Sequence, residues 1–95
     1  MEEKRLKSEL RALEKEEAAL MQRLEALEEE RHEIEGSMAR PEVYANGDRM
    51  KELRRQHQEN HGQHAAAMEQ WEKVEERFRE AREKIANLRV SSERG

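Results

Sequence analysis

The chain has 95 residues, 44% of them charged and only 3% aromatic, with a net charge of −4 and a mean hydropathy of −1.34. That length bounds it to one small domain, and that composition is too poor in apolar side chains for a thick globular core. With no cysteine it can form neither disulfides nor thiolate metal sites, and no apolar run is long enough for a membrane span or a signal peptide, so a cytoplasmic setting is expected.

The negative charge is unevenly placed. Residues 1–40 carry 8 Lys/Arg against 12 Asp/Glu, whereas residues 41–95 carry 11 of each. A whole-chain electrostatic attraction for nucleic acid is thereby excluded, and only a local basic patch can support one. High charge with low hydropathy also marks disordered chains. A regular apolar seam argues against that reading.

The first helix is expected over about residues 3–39. Leu6, Leu10, Leu13, Glu17, Leu20, Leu24, Leu27, Arg31, Ile34 and Met38 follow alternating steps of four and three. This is a heptad seam, with Leu6, Leu13, Leu20, Leu27 and Ile34 at one core position. Glu17 and Arg31 interrupt the other. Gly36-Ser37 weakens the last turn.

A corner is expected over residues 40–46. Pro41 is the only proline and biases Arg40 away from helical geometry. Asn46-Gly47 is the one strong turn dipeptide. Val43 and Tyr44 are expected to be buried in this corner. A second helix should then start with Asn46 as its cap and Asp48 in its first turn, where a carboxylate favours the helix dipole.

That helix is expected over about residues 47–89, followed by a frayed tail at 90–95. Met50, Leu53, His57, Asn60, His64, Ala67, Trp71, Val74, Phe78, Ala81, Ile85 and Leu88 keep the three-four alternation, with a polar middle. The predicted fold is all-α, an antiparallel two-helix coiled-coil hairpin with a proline-containing corner. Folding back about residue 44 pairs positions whose numbers sum to about 87 or 88, which sets Leu13 against Val74 and Leu10 against Phe78. The same register sets Leu20 against Ala67, brings Glu17 within reach of the Trp71 indole N–H, and puts Arg31 near His57.

Pro41-Glu42-Val43-Tyr44, then Asn46-Gly47-Asp48 leading into Met50-Lys51-Glu52-Leu53, then Trp71-Glu72 in an acidic helix, form an ordered set. In order and spacing they resemble the C-terminal coiled-coil domain of the ATP-binding-cassette family F ATPases, over roughly Leu6 to Glu76. Arg40 stands where that family usually has Asp, and the first helix lacks the proline often found near its start. The resemblance implies two nucleotide-binding modules on the parent chain, no transmembrane segment, and contact with ribosomes or DNA. On that resemblance Met1 opens an excised domain and Gly95 is a natural C-terminus. This chain has no phosphate-binding loop of the Gly-x-x-x-x-Gly-Lys-Ser/Thr kind, so it is not itself the ATPase. Peptide-chain release factors, whose N-terminal helical domain also has a proline-glutamate corner after a leucine-rich helix, are a second resemblance.

Arg40, Arg49, Lys51, Arg54 and Arg55 cluster at and after the corner. Phosphate contacts need little more than such a patch, and they bind in a salt-sensitive way without reading sequence. The competing reading is ordinary solvated charge, paired with Glu33, Glu35, Glu42, Asp48 and Glu52. Lys4, Arg5, Lys7 and Arg11 with Arg77, Arg79, Arg82 and Lys84 form a second basic zone, diluted by as many acids. His57, His61 and His64 have the spacing of a helical zinc or nickel site, but no second shell is evident and a polar, register-fixing stretch is the preferred reading. Tyr44 and Trp71 carry faces that stack on bases in single-strand binders, yet closing the corner and filling the seam suit them better.

No nucleophile with plausible partners and no desolvated acid is evident, so the chain is expected not to be an enzyme and to take no cofactor of its own. Two functions remain. One is a nucleic-acid or ribosome-contacting module of a family F ATPase, working through the hairpin tip. The other is a structural hairpin for protein contact or weak self-association.

Overall fold

In the computed structural model the backbone is described for residues 2–94 and the side chains for residues 2–91. Three helices follow in order: α1 (Glu2–Met38), α2 (Pro41–Tyr44) and α3 (Gly47–Arg94). The described residues contain no strand, and the fold is an all-α helical hairpin.

Leu6, Leu13, Leu20, Leu27 and Ile34 are all buried, so the heptad seam read from α1 is the face it buries. α1 runs through Gly36-Ser37 and ends at Met38, two residues before Arg40 takes an extended backbone (φ −76°, ψ 132°) ahead of Pro41. The clash of the proline ring with a helical preceding residue dictates that conformation. Arg40 N–H still reaches back to the Ser37 carbonyl at 3.2 Å, closing the last turn.

The corner is not irregular. Pro41 occupies the first position of α2, where its missing N–H leaves no helical bond unmade and its fixed φ suits the helix. The N–H groups of Val43 and Tyr44 both bond the Arg40 carbonyl at 3.0 Å. This single turn sends Val43 inward, with 1% of its surface exposed, and Tyr44 outward, with 60% exposed. The expectation that Tyr44 is buried is therefore corrected. Consecutive helical residues are turned by about 100°, so a one-turn helix cannot hide both.

Asn46 caps α3 as expected: its Oδ1 accepts from the Arg49 N–H at 3.2 Å and its carbonyl accepts from the Met50 N–H at 3.0 Å. No described residue has a positive φ. Asn46-Gly47 thus works through its cap and not through a left-handed turn. At its other end α3 continues to Arg94, where a tail from residue 90 was expected. Just before that stretch the Arg89 guanidinium lies 3.4 Å from the Glu3 carboxylate of α1.

The chain divides into two compact units. One joins Met1–Leu20 to Gln70–Gly95. Its core is Leu13, Leu20, Val74 and Phe78, with Leu10 and Trp71 packed against it. Leu13 with Val74 and Leu10 with Phe78 are the companions that the fold-back register predicts. The other unit is Met21–Glu69, which buries Leu27, Ile34, Val43, Ala67 and one polar residue, Asn60. Asn60 donates from Nδ2 to the Leu27 carbonyl at 2.8 Å, again a pair whose numbers sum to 87.

Two cross-helix expectations change. Trp71 does not donate to Glu17: its Nε1 is buried with no acceptor, and the Glu17 carboxyl is instead held above its ordinary value by the neighbouring Glu75 carboxyl. Arg31 and His57 do come to one place, but as joint partners of the Glu35 carboxylate, at 4.0 Å and 3.2 Å.

Candidate nucleic-acid interface

The corner and the first turns of α3 belong to the unit Met21–Glu69, and all five basic residues singled out in the sequence lie there, exposed. Arg40 sits at the cap position of α2 and makes no side-chain cap bond. Arg49, Lys51, Arg54 and Arg55 ride on α3. At about 100° per residue, Lys51, Arg54 and Arg55 fall within roughly 100° of one another, while Arg49 is turned about 120–160° away from them. The sequence cluster is thus two groups: an outward face on α3, and Arg40 with Arg49 flanking the corner.

Arg55 differs from the rest. Its Nε donates to Glu52 Oε2 at 3.0 Å, its Nη2 to Glu52 Oε1 at 2.5 Å, and its Nη1 to Glu59. This fork, helped by a bond from Gln56 at 3.3 Å, pulls the Glu52 carboxyl down to about 2, and the two carboxylates raise the Arg55 guanidinium beyond its ordinary value. Arg55 is therefore engaged by its own helix, the pairing with Glu52 that the solvated-charge reading expects. Arg40, Arg49, Lys51 and Arg54 have no ion-pair partner among the described residues.

Acidic neighbours bound the patch. Glu42 and Asp48 are exposed at the corner itself. A shallow groove lined by Glu30, Glu33, Ile34, Leu53 and Glu59 lies alongside, and its carboxylates repel phosphate. The corner and the outward face of α3 are thus the cationic surface of this unit, with carboxylates on either side.

The histidines do not converge. His57 Nε2 lies 3.2 Å from Glu35 and His64 Nε2 lies 3.9 Å from Glu28, each against its own carboxylate on α1, and His61 is exposed. Among the described residues no three His, Asp or Glu side chains stand close enough to share a metal ion. Both seam histidines are half-buried; the polar residue that is buried in this stretch is Asn60.

The second basic zone is partly neutralised. Lys7 and Arg89 both reach Glu3, Arg79 pairs with Glu76, and the Arg82 guanidinium lies 5.0 Å from the Phe78 ring centroid. Tyr44, which the sequence reading places in the core of the corner, is exposed beside the corner cations. The signal was present in Pro41 opening a helical turn, which forces Val43 and Tyr44 to opposite environments.

Two charged helices on a narrow seam, joined by a corner that Pro41 opens, define an all-α helical hairpin with unpaired cations at that corner. No helix among the described residues is long and apolar enough to cross a membrane. The family model for the ABC transporter C-terminal domain matches residues 2–76, and the chain belongs to that family. It is a C-terminal module of an ATP-binding-cassette protein, which removes the release-factor resemblance. No curated protein and no solved structure matches the chain.

Proposed function

We propose that this chain is the non-catalytic coiled-coil module of a family F ATP-binding-cassette ATPase, and that its tip contacts nucleic acid, DNA or ribosomal RNA, on behalf of the ATPase modules in the cytoplasm. The observation that carries this reading is the set of four exposed cations without ion-pair partners, Arg40, Arg49, Lys51 and Arg54, on a chain of net charge −4. Cations left bare amid so many carboxylates are available to phosphates, and the surrounding acids limit the footprint. In this reading the module has no catalytic residue and no cofactor of its own.

The test is charge reversal of Lys51 and Arg54 to Glu, followed by fluorescence anisotropy on short DNA and RNA at low salt. Loss of binding on all sequences alike supports the tip as the contact. Binding equal to that of the parent eliminates it.

A second reading, protein contact or weak self-association, is favoured by Met21 and Met68, which leave 46% and 36% of their surfaces exposed. Light scattering across a concentration series separates the two readings.

A further inference from the structure

Resting on the tip reading above, we infer that the corner holds an unpaired nucleotide: the Tyr44 ring stacks on the base, and Arg40 and Arg49 hold the flanking phosphates. The site is built by α2. Val43 takes the inward place of the single turn, and Tyr44, its N–H bonded to the Arg40 carbonyl at 3.0 Å, is turned out with 60% of its surface exposed. Its ring has no hydrogen bond, ring contact or cation partner among the described residues. Arg40 precedes it by one turn with its side chain uncommitted. Arg49 follows it across the Asn46 cap, which uses only the Arg49 backbone N–H and leaves the guanidinium exposed.

Chemistry selects the ligand. A bare aromatic face gains from stacking only where a base face is free, and in a duplex those faces are covered by neighbouring bases. Duplex binding at this tip is limited to phosphate contacts. Arg40 and Arg49 therefore supply the salt dependence, and Tyr44 supplies the preference for unpaired over paired nucleic acid. DNA and RNA both offer a base with flanking phosphates, so the probes must separate them.

The experiment is fluorescence anisotropy at low salt with the whole chain. The probes are labelled oligothymidylate, labelled oligouridylate and a labelled duplex of equal phosphate count; circular dichroism checks that each variant remains helical. The parent is expected to bind at least one single strand more tightly than the duplex. Tyr44→Ala is expected to lose about tenfold on that strand with no change on the duplex and no change in salt slope, and Tyr44→Phe to bind as the parent does. Arg40→Gln with Arg49→Gln is expected to lower the single-strand salt slope by about one to one and a half units. Equal parent binding to single strand and duplex overturns the inference, as does an unchanged Tyr44→Ala or a loss shared by Tyr44→Phe. If Tyr44→Ala is silent while the Lys51 and Arg54 reversal abolishes binding, the nucleotide site fails and the tip reading stands. If the folded parent binds no probe, both fail.

Discussion

The Asn60 side-chain amide crosses from α3 to the Leu27 carbonyl of α1 at 2.8 Å and also lies 3.3 Å from the Glu30 carboxylate. Asn60 is 2% exposed, the one buried polar residue of the seam among the described residues. A main-chain carbonyl has a second lone pair beyond its helical bond, so Leu27 accepts without loss to α1. A single polar residue in an apolar seam fixes register, because a slipped pairing leaves its amide buried and unbonded. Asn60→Leu should raise the melting temperature and loosen the register or the oligomeric state. Asn60→Asp should destabilise by about 3–5 kcal/mol at neutral pH, since it buries a carboxylate against two acceptors. Thermal melts with light scattering check both. An Asn60→Leu variant that melts lower and stays monomeric would falsify the register role.

Trp71 packs against the Leu13, Leu20, Val74 and Phe78 cluster, but only half-buried and with its Nε1 buried and unbonded. An unmet buried donor costs about 1–3 kcal/mol, close to what the larger ring gains by burial. Trp71→Phe should therefore change stability by less than about 1 kcal/mol, while Phe78→Ala, in the centre of the cluster, should cost about 3–5 kcal/mol. Urea titrations of the two variants check the contrast. A large loss in Trp71→Phe would mean that the indole N–H finds a partner in solution.

The regular features of this fold were legible because they repeat. Five apolar residues at heptad spacing marked the buried face of α1, and Asn46 with Asp48 marked the start of α3. What escaped the sequence were features decided by one contact. α2 is a single turn set by Pro41, too short for periodicity to register, and it reversed the fate of Tyr44. Residues 90–94 read as a polar tail by composition, yet α3 carries its helical bonds through them to Arg94. Among the polar seam residues, His57, Asn60 and His64 are equivalent by spacing; only the structure shows that Asn60 is inside while the histidines lean towards Glu35 and Glu28. The basic cluster was legible as a cluster, but not the capture of Arg55 by Glu52 and Glu59.

Glu17 takes a seam position on α1 with the Glu75 carboxyl of α3 as its neighbour. Its carboxyl is raised from the ordinary 4.5, first by the Glu75 hydrogen bond, then by burial and by the Glu75 charge, with Arg82 opposing. A value raised in the folded state means that the protonated form is favoured there. The associated stability is complete below 4.5 and is lost as pH rises through the folded value. At neutral pH the pair is thus a weak point. Glu17→Gln, which offers Glu75 a permanent donor, should melt higher than the parent at pH 7, and the difference should vanish on acidification towards pH 4. Glu52 works the other way, its contribution present above 4.5 and lost as pH falls towards about 2, so the comparison must be made between variant and parent at each pH. A pH-independent difference would show that the two carboxyls do not share a proton.

Arg54 and Arg55 are adjacent in sequence and both exposed, yet only Arg55 is held, by Glu52 and Glu59. A guanidinium already forked onto a carboxylate must give up those bonds before it can meet a phosphate, whereas Arg54 gives up none. Their removal should therefore act unequally on nucleic-acid binding. Arg54→Ala should weaken binding to every sequence and reduce the log–log salt slope by about one unit, the signature of one lost phosphate contact. Arg55→Ala should leave the slope nearly unchanged. Its effect should appear in stability above pH 4.5 instead: without Arg55 the Glu52 carboxyl returns towards its ordinary value, so the variant melts lower than the parent at neutral pH and the difference disappears as pH falls towards about 2. Salt-series anisotropy on the parent and the two single variants measures the first difference, and thermal melts followed by circular dichroism across that pH range measure the second. Equal salt slopes for Arg54→Ala and Arg55→Ala would show that the fork opens on binding, and that the cationic face of α3 includes all three of Lys51, Arg54 and Arg55.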